Sequence, residues 1–431
     1  MKREVFKRII SEWLERDLPK VLAREIKFNI NTHTITAIVG PRRAGKTYLV
    51  FSKIKELLEH NEKEEILFID FEDNRLIGVA NEELDDIFTA HKELTDRDIK
   101  YIFFDEIQEI ETWSKFVRRL YNLQKYTIVL TGSSSKLMAK EIATELRGRY
   151  KSILLLPFSF REYLKYKGFV YKKTTQYTEE KGKLMRFFDE YLFYGGYPEA
   201  IKLGNLDEKK ELINSYYETI YYKDIIERYG TRNKEIIGIM MNYLLDINAS
   251  LFSLTSFEKL MKSRGISISK KTISLYLKYL GESFFVFAIE KFSYSPKVRI
   301  LNPKKVYLID NIFHTLLSTS LTPDKGKLLE SLVLQDLKRR NYDVYYFREK
   351  KECDFILKKD RRLVAALQVV YKLDNKNRVR ELGGLKEAMS KLKIDKGIIL
   401  TYDQEEDIKT NLGVIEVIPV WKWLLETSNI F

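Results

Sequence analysis

The segment Gly40-Pro41-Arg42-Arg43-Ala44-Gly45-Lys46-Thr47 meets every fixed position of the pattern G-x-x-x-x-G-K-[ST]. It lies between a β-branched run, Ile35-Thr36-Ala37-Ile38-Val39, and a stretch from Tyr48 to Leu58 that reads as a helix. That context turns a string into a geometry. The glycines let the backbone curl so that successive N–H groups point inward at a phosphate, and the helix N-terminus faces the same point. In such a loop Lys46 reaches the outer phosphate oxygens and the Thr47 hydroxyl ligates Mg²⁺. Gly40 through Thr47, with Tyr48 beside them, are the candidate nucleotide-binding residues.

A second motif points the same way. Tyr101-Ile102-Phe103-Phe104-Asp105-Glu106 reads as a buried strand ending in two carboxylates. Asp105 is placed to hold Mg²⁺ together with Thr47. Glu106 suits a general base that orients and deprotonates an attacking water, which favours hydrolysis of a nucleotide over mere binding.

Composition limits the alternatives. A chain of 431 residues can bury two or three cores. No apolar run approaches the roughly 20 residues of a membrane span. Met1-Lys2-Arg3-Glu4-Val5-Phe6 lacks the apolar core of a signal peptide. Cys353 is the single cysteine and the four histidines are scattered, which argues against disulfides and a structural metal site. The expectation is a cytoplasmic protein with no membrane partner. The net charge of +13, from 75 basic and 62 acidic residues, suits an anionic partner such as nucleic acid.

The pattern along the chain predicts an amphipathic helix over 5–17, with Phe6, Ile9, Ile10 and Trp13 on one face. Strands are expected at 66–70, 101–106, 126–131 and 151–157, in addition to 35–39. Their alternation with helices implies right-handed crossovers and a parallel α/β sheet. One strand, 66–70, falls in sequence between the two motif strands, as in P-loop ATPases with an additional strand. The expected division is a P-loop core over 1–158, a helical lid over 159–248, a winged helix over 249–320 and a nuclease-like α/β domain over 321–431.

These residues carry a family resemblance. The loop at 40–47, Phe104-Asp105-Glu106-Ile107-Gln108, Leu130-Thr131-Gly132-Ser133-Ser134-Ser135, Arg147-Gly148-Arg149-Tyr150 and Gly195-Gly196-Tyr197-Pro198-Glu199 resemble the archaeal AAA+-type ATPases that carry an appended C-terminal domain of unknown function. The resemblance covers nearly the full length and implies the fold, ATP as ligand and Mg²⁺ as its metal. It also implies a sensor hydroxyl at Ser133 or Ser134. Arg147 or Arg149, with Arg149 preferred, is implied as an arginine finger projecting into a neighbouring copy, and hence a homo-oligomer.

Two further constellations bear on partners. Ser269 is placed to cap a helix running to about Glu282, with Ile273, Tyr276, Leu277 and Leu280 on its apolar face. Lys270, Lys271, Ser274 and Lys278 fall elsewhere on that helix, as a DNA-recognition helix requires. A solvated lysine face on a protein-contacting module is the competing reading. Phe284–Ile289 and Val298–Leu301 are the segments expected to build the wing. Further on, Asp354, Gln368 and Val370 echo a metal-dependent nuclease motif in which Gln368 stands for the second carboxylate and Val370 for the lysine; Lys372, of the same strand parity, would have to replace the lysine and Glu330 to supply an acid. The expectation is therefore an ATP-hydrolysing, DNA-binding ATPase. A regulatory switch acting on protein partners and a nucleotide-gated nuclease are the alternatives.

Overall fold

The computed structural model describes residues 2–111, 113–134, 148–231 and 233–426. The chain forms two compact units, Met1–Leu156 and Pro157–Phe431.

The first unit is built on five parallel strands: β1 (Ile35–Val39), β2 (Ile66–Asp70), β3 (Tyr101–Asp105), β4 (Thr127–Gly132) and β5 (Tyr150–Leu154). β1 and β4 are buried at every position, the signature of a parallel sheet covered on both faces. The spatial order is β2-β3-β4-β1-β5. The strand standing between the two motif strands is thus β4, whereas β2, which interrupts them in sequence, goes to the edge. Around the sheet lie α1 (Lys2–Glu15), α2 (Lys46–Leu57), α3 (Asp86–Leu94) and α4 (Trp113–Asn122). α1 buries the expected Phe6, Ile9, Ile10 and Trp13. The Trp13 indole N–H donates to the Ile66 carbonyl at 2.7 Å, so the helix is fastened to the strand that it covers. Trp13, Ile38, Leu49, Phe51, Phe68, Phe103 and Val129 share one core cluster. At roughly 1.5–3 kcal/mol for each large side chain buried, this core holds the strand ends in register.

The parallel arrangement decides where chemistry can occur. The C-terminal ends of β1, β3 and β4 lie along one edge, with Val39 opposite Gly132 and Phe104 opposite Leu130. The loops that leave those ends are therefore neighbours.

The second unit opens with helices, including α5 (Glu180–Tyr194), α6 (Leu206–Thr219) and α7 (Lys234–Asp246). Gly195 leaves room for the Asp310 carboxylate, which accepts from the Gly196 amide at 2.9 Å and from the Ile312 amide at 3.0 Å. Next come β6 (Ser250–Phe252), α8 (Leu254–Ser263), α9 (Lys270–Glu282), β7 (Val286–Ile289) and β8 (Lys304–Leu308). The strands form an antiparallel sheet in the order β6-β8-β7. The reading of Val298–Leu301 as part of a wing strand is corrected here: Pro296–Leu301 is helical and the return strand is β8. Pro296 sits in the first turn, where its fixed φ starts a helix and its missing N–H costs nothing.

After α10 (Lys325–Arg339) the chain forms a six-stranded mixed sheet ordered β13-β14-β12-β11-β10-β9. Its strands are β9 (Asp343–Arg348), β10 (Glu352–Lys359), β11 (Arg362–Val369), β12 (Gly397–Thr401), β13 (Glu406–Thr410) and β14 (Gly413–Pro419), with α11 (Arg378–Leu392) packed on β10 and β11. β13 and β14 were not anticipated. β13 holds a single apolar residue, Ile408, and is weak as a strand signal, whereas the β-branched Val414, Ile415, Val417 and Ile418 of β14 were a signal that could have been read.

Candidate active site

The loop after β1 takes the shape its glycines allow. Gly45 has φ of 94°, a left-handed conformation that an L side chain resists. A Cβ on Gly40 would lie 1.9 Å from the Leu155 carbonyl oxygen, so only glycine fits. Arg24 braces the loop from behind, donating to the Ala44 carbonyl at 2.9 Å and to the Leu156 carbonyl at 2.7 Å. Ala44 and Pro41 are buried, Arg42 is half-buried, and Arg43 and Tyr48 are exposed. Arg42 pairs with Glu72.

Lys46 is buried and donates to the carbonyls of Gly40 and Pro41, each at 3.2 Å. It also pairs with Glu106 Oε1 at 3.0 Å. The Thr47 hydroxyl donates to Asp105 Oδ2 at 2.6 Å. The other oxygen of Asp105 accepts from Thr131, whose hydroxyl in turn accepts from the Glu106 amide at 3.0 Å. Glu106 Oε2 accepts from the Ser133 amide at 2.9 Å and from Gln108 Nε2 at 2.6 Å. The structure thus gathers Lys46, Thr47, Asp105, Glu106 and Ser133 into one cluster. Ser133 enters through its backbone N–H.

Two adjacent carboxyls are driven apart in acidity. Burial, then the neighbouring Glu106 charge, push Asp105 up to about 7 against its bonds from Thr131 and Thr47. Burial acts the same way on Glu106, but the charges of Lys46 and Arg42 outweigh it and hold Glu106 at about 2. Glu106 is therefore an anion.

Thr131, Gln108 and Arg24 were missed by sequence reasoning. Thr131 had a detectable signal, as a hydroxyl at the end of the strand that follows the acidic pair. Arg24 had none. Arg149 stands elsewhere: its carbonyl accepts from the Ile35 amide at 3.0 Å, at the N-terminal end of β1. A five-residue strand separates it from the loop by roughly 15 Å at about 3.3 Å per residue. There it lies over the Tyr121 ring, 5.4 Å from its centroid, and donates weakly to Asn122 at 3.4 Å. Ser135 and Arg147 lie outside the described residues.

In the second unit α9 starts at Ser269, which caps the Thr272 amide at 3.1 Å. Ile273, Tyr276, Leu277 and Leu280 are buried, whereas Lys270, Lys271, Ser274 and Lys278 are exposed. Lys270 and Lys278 make only long pairs, 3.8 Å to Glu258 and 3.6 Å to Glu282.

The nuclease echo resolves into a different object. Lys305 of β8, buried, lies 2.8 Å from Glu330, 2.9 Å from Asp354 and 3.0 Å from Glu352. Tyr307 donates to Glu330 at 2.6 Å, and the Val369 amide donates to Asp354 at 3.0 Å. Gln368 donates to Glu381 at 2.7 Å. Lys372 is exposed. Among the described residues no group of three His, Cys, Asp or Glu side chains is arranged to hold a metal ion.

The parallel sheet, its phosphate loop and the acidic pair define a P-loop ATPase fold of AAA type. Residues 32–164 match the model of an AAA domain, 185–322 a domain of unknown function (DUF8612) and 325–423 a second one (DUF4143). An uncharacterised protein of Methanocaldococcus jannaschii is 36% identical over 98% of this chain and 96% of its own length. The chain belongs to the family of archaeal AAA+-type ATPases that carry an appended C-terminal domain of unknown function. An uncharacterised protein of Haemophilus influenzae is 27% identical over 92% of this chain and 95% of its own. A solved Walker-type ATPase of Pyrococcus abyssi is 14% identical, with a TM-score of 0.44 over 73% of this chain and 95% of that one. No described helix is long and apolar enough to cross a membrane.

Proposed function

We propose that this protein hydrolyses ATP with Mg²⁺ and couples the turnover to binding or remodelling DNA. The observation that carries the first half is the buried cluster in which Lys46, Thr47, Asp105 and Glu106 converge. The donor set fits the ligands. The loop offers backbone N–H groups, and Lys46 has a partner in Glu106 that it can exchange for phosphate oxygens. Thr47 and Asp105 supply the hard oxygens that Mg²⁺ prefers. Mg²⁺ held there would offset charge on the phosphates. Glu106, kept anionic, accepts the proton of the attacking water. Glu106→Gln protein should bind ATP yet turn it over at least about 10²-fold more slowly; near-normal turnover would remove Glu106 from the role.

Arg149 lies too far from the loop of its own chain to act there, which supports a finger working in trans in a homo-oligomer. Mixing Arg149→Ala with Lys46→Ala protein should restore some turnover. A rate independent of protein concentration, without rescue, would sink that arrangement.

The DNA half rests on α9. Its cations are exposed, weakly paired and set apart from the buried stripe, and the order β6-α8-α9-β7-β8 is that of a winged helix. On this reading 1–158 is the ATPase core, 159–248 its helical lid, 249–320 the winged helix and 321–431 the nuclease-like domain, in a cytoplasmic protein. The test is the ATPase rate with and without single- and double-stranded DNA. Replacing Lys270, Lys271 and Lys278 by Ala should weaken DNA binding. It should also flatten the slope of log affinity against log salt by about 0.9 per lost phosphate contact. Unaltered DNA affinity would instead favour a switch acting on protein partners.

A further inference from the structure

Glu106 has φ of 49° and ψ of 44°, a left-handed conformation in a residue other than glycine. The bend it imposes starts a tight helical turn, Ile107–Glu109, and folds Gln108 back over the carboxylate two residues earlier. The Gln108 amide nitrogen lies 2.6 Å from Glu106 Oε2 and only at the 3.5 Å limit from Glu109 and Ser133. Its amide oxygen is buried and, among the described residues, accepts from no group. Such an acceptor is destabilising unless a donor reaches it. A water molecule carries two protons, and the Glu106 carboxylate and the Gln108 amide oxygen are two acceptors on adjoining side chains.

We propose that Gln108 is a catalytic residue of this site: its amide nitrogen holds Glu106 in place while its amide oxygen accepts a hydrogen bond from the attacking water. The proposal rests on the ATPase reading above and specifies how its nucleophile is oriented. With Lys46 drawn to phosphate, Glu106 Oε1 is released toward the water, while Oε2 stays fixed by the Ser133 amide and Gln108. One water proton passes to Glu106 and the other stays on the oxygen, held by Gln108, so that a lone pair points at the γ-phosphorus. The water oxygen bonds to that phosphorus. The bond from phosphorus to the bridging oxygen breaks, and its electron pair leaves with ADP.

Three substitutions separate the two ends of the amide. Gln108→Leu removes both functions. Gln108→Lys keeps a donor for Glu106 but offers the water no acceptor. Gln108→Asn keeps the amide but draws it back by one methylene. Each is compared with wild type by steady-state turnover and by equilibrium binding of a fluorescent, non-hydrolysable ATP analogue, which reports a folded, nucleotide-competent site independently of chemistry. The expected result is analogue affinity at the wild-type level and kcat lower by on the order of 10²-fold in both Leu and Lys variants. Wild-type kcat in the Lys variant would reduce Gln108 to a positioning residue and overturn its contact with water. Unchanged kcat in all three would overturn both ends. If Leu loses analogue binding, the Lys and Asn variants carry the same comparison. A wild-type protein that binds the analogue but never hydrolyses ATP would bring down the ATPase reading itself, a result distinct from any of these.

Discussion

Two buried lysines, Lys46 and Lys305, are each paired with carboxylate, and they are built for opposite ends. Lys46 has one carboxylate partner, Glu106, and two backbone carbonyls at 3.2 Å. Lys305 has three carboxylate partners within 3.0 Å, and Tyr307 adds a further bond to Glu330. The first lysine lies in a loop that leads into a helix N-terminus, a natural place for an anion, and its partner has other donors, Gln108 and Ser133, when the lysine leaves. The second lies on the central strand of a three-stranded sheet, and its departure would strand several negative charges in the interior. A cation with replaceable partners can serve ligand binding. One whose partners depend on it serves the fold, here joining β8 to α10 and β10.

The largest effect is expected at the structural centre. Lys305→Met should destabilise the second unit by about 3–5 kcal/mol, because breaking a buried pair leaves uncompensated charge. Chemical denaturation should show an early transition while ATP-analogue binding at the first unit persists. A loss well under this range would break the comparison by showing that Lys305 is as dispensable to its unit as Lys46.

Next comes the reactive centre. Lys46→Met should abolish the stabilisation that ligand binding gives, which at a concentration of 100 Kd is about 2.7 kcal/mol. The melting of the ligand-free protein should move much less, since Gln108 and the Ser133 amide still hold Glu106. A fall in ligand-free stability equal to that of Lys305→Met would erase the distinction between the two lysines.

The smallest effect is a pH dependence. Burial, then the Asp354 charge, raise Glu330 to about 7 despite Lys305, and burial raises Asp310 to about 6. A folded-state pKa above the unfolded value means that the native state holds more protons, so stability falls as pH rises between the two values. From about pH 6 to 7 the second unit should lose on the order of 1 kcal/mol, or ~2–4 °C in Tm. Glu330→Gln should remove much of that slope. A slope left unchanged by Glu330→Gln would show that Lys305 keeps Glu330 ionised throughout.

These two centres also differ in how they could be read from the chain. Gly40 to Thr47, Asp105 and Glu106 lie in short strings whose own backbone dictates the arrangement, and β-branched runs mark the strands that carry them. The buried stripe of α1 and the exposed lysines of α9 were legible for the same reason, since a helical period of 3.6 sorts side chains onto faces. Val298–Leu301 failed because four residues, three apolar and one arginine, fit strand or helix equally, and Pro296 decides for helix.

The sequence by itself thus determined a P-loop α/β fold, the loop that would hold phosphate and the acidic pair beside it. Tertiary structure alone decided that β4 rather than β2 separates the motif strands, and that Arg24 braces the loop. It also decided that Arg149 stands at the far edge of the sheet and that Lys305 meets Glu330 and Asp354. Strings of neighbours fix local geometry through backbone conformation and side-chain period. Contacts between residues dozens of positions apart follow from strand order and register, which are settled only when whole elements pack together.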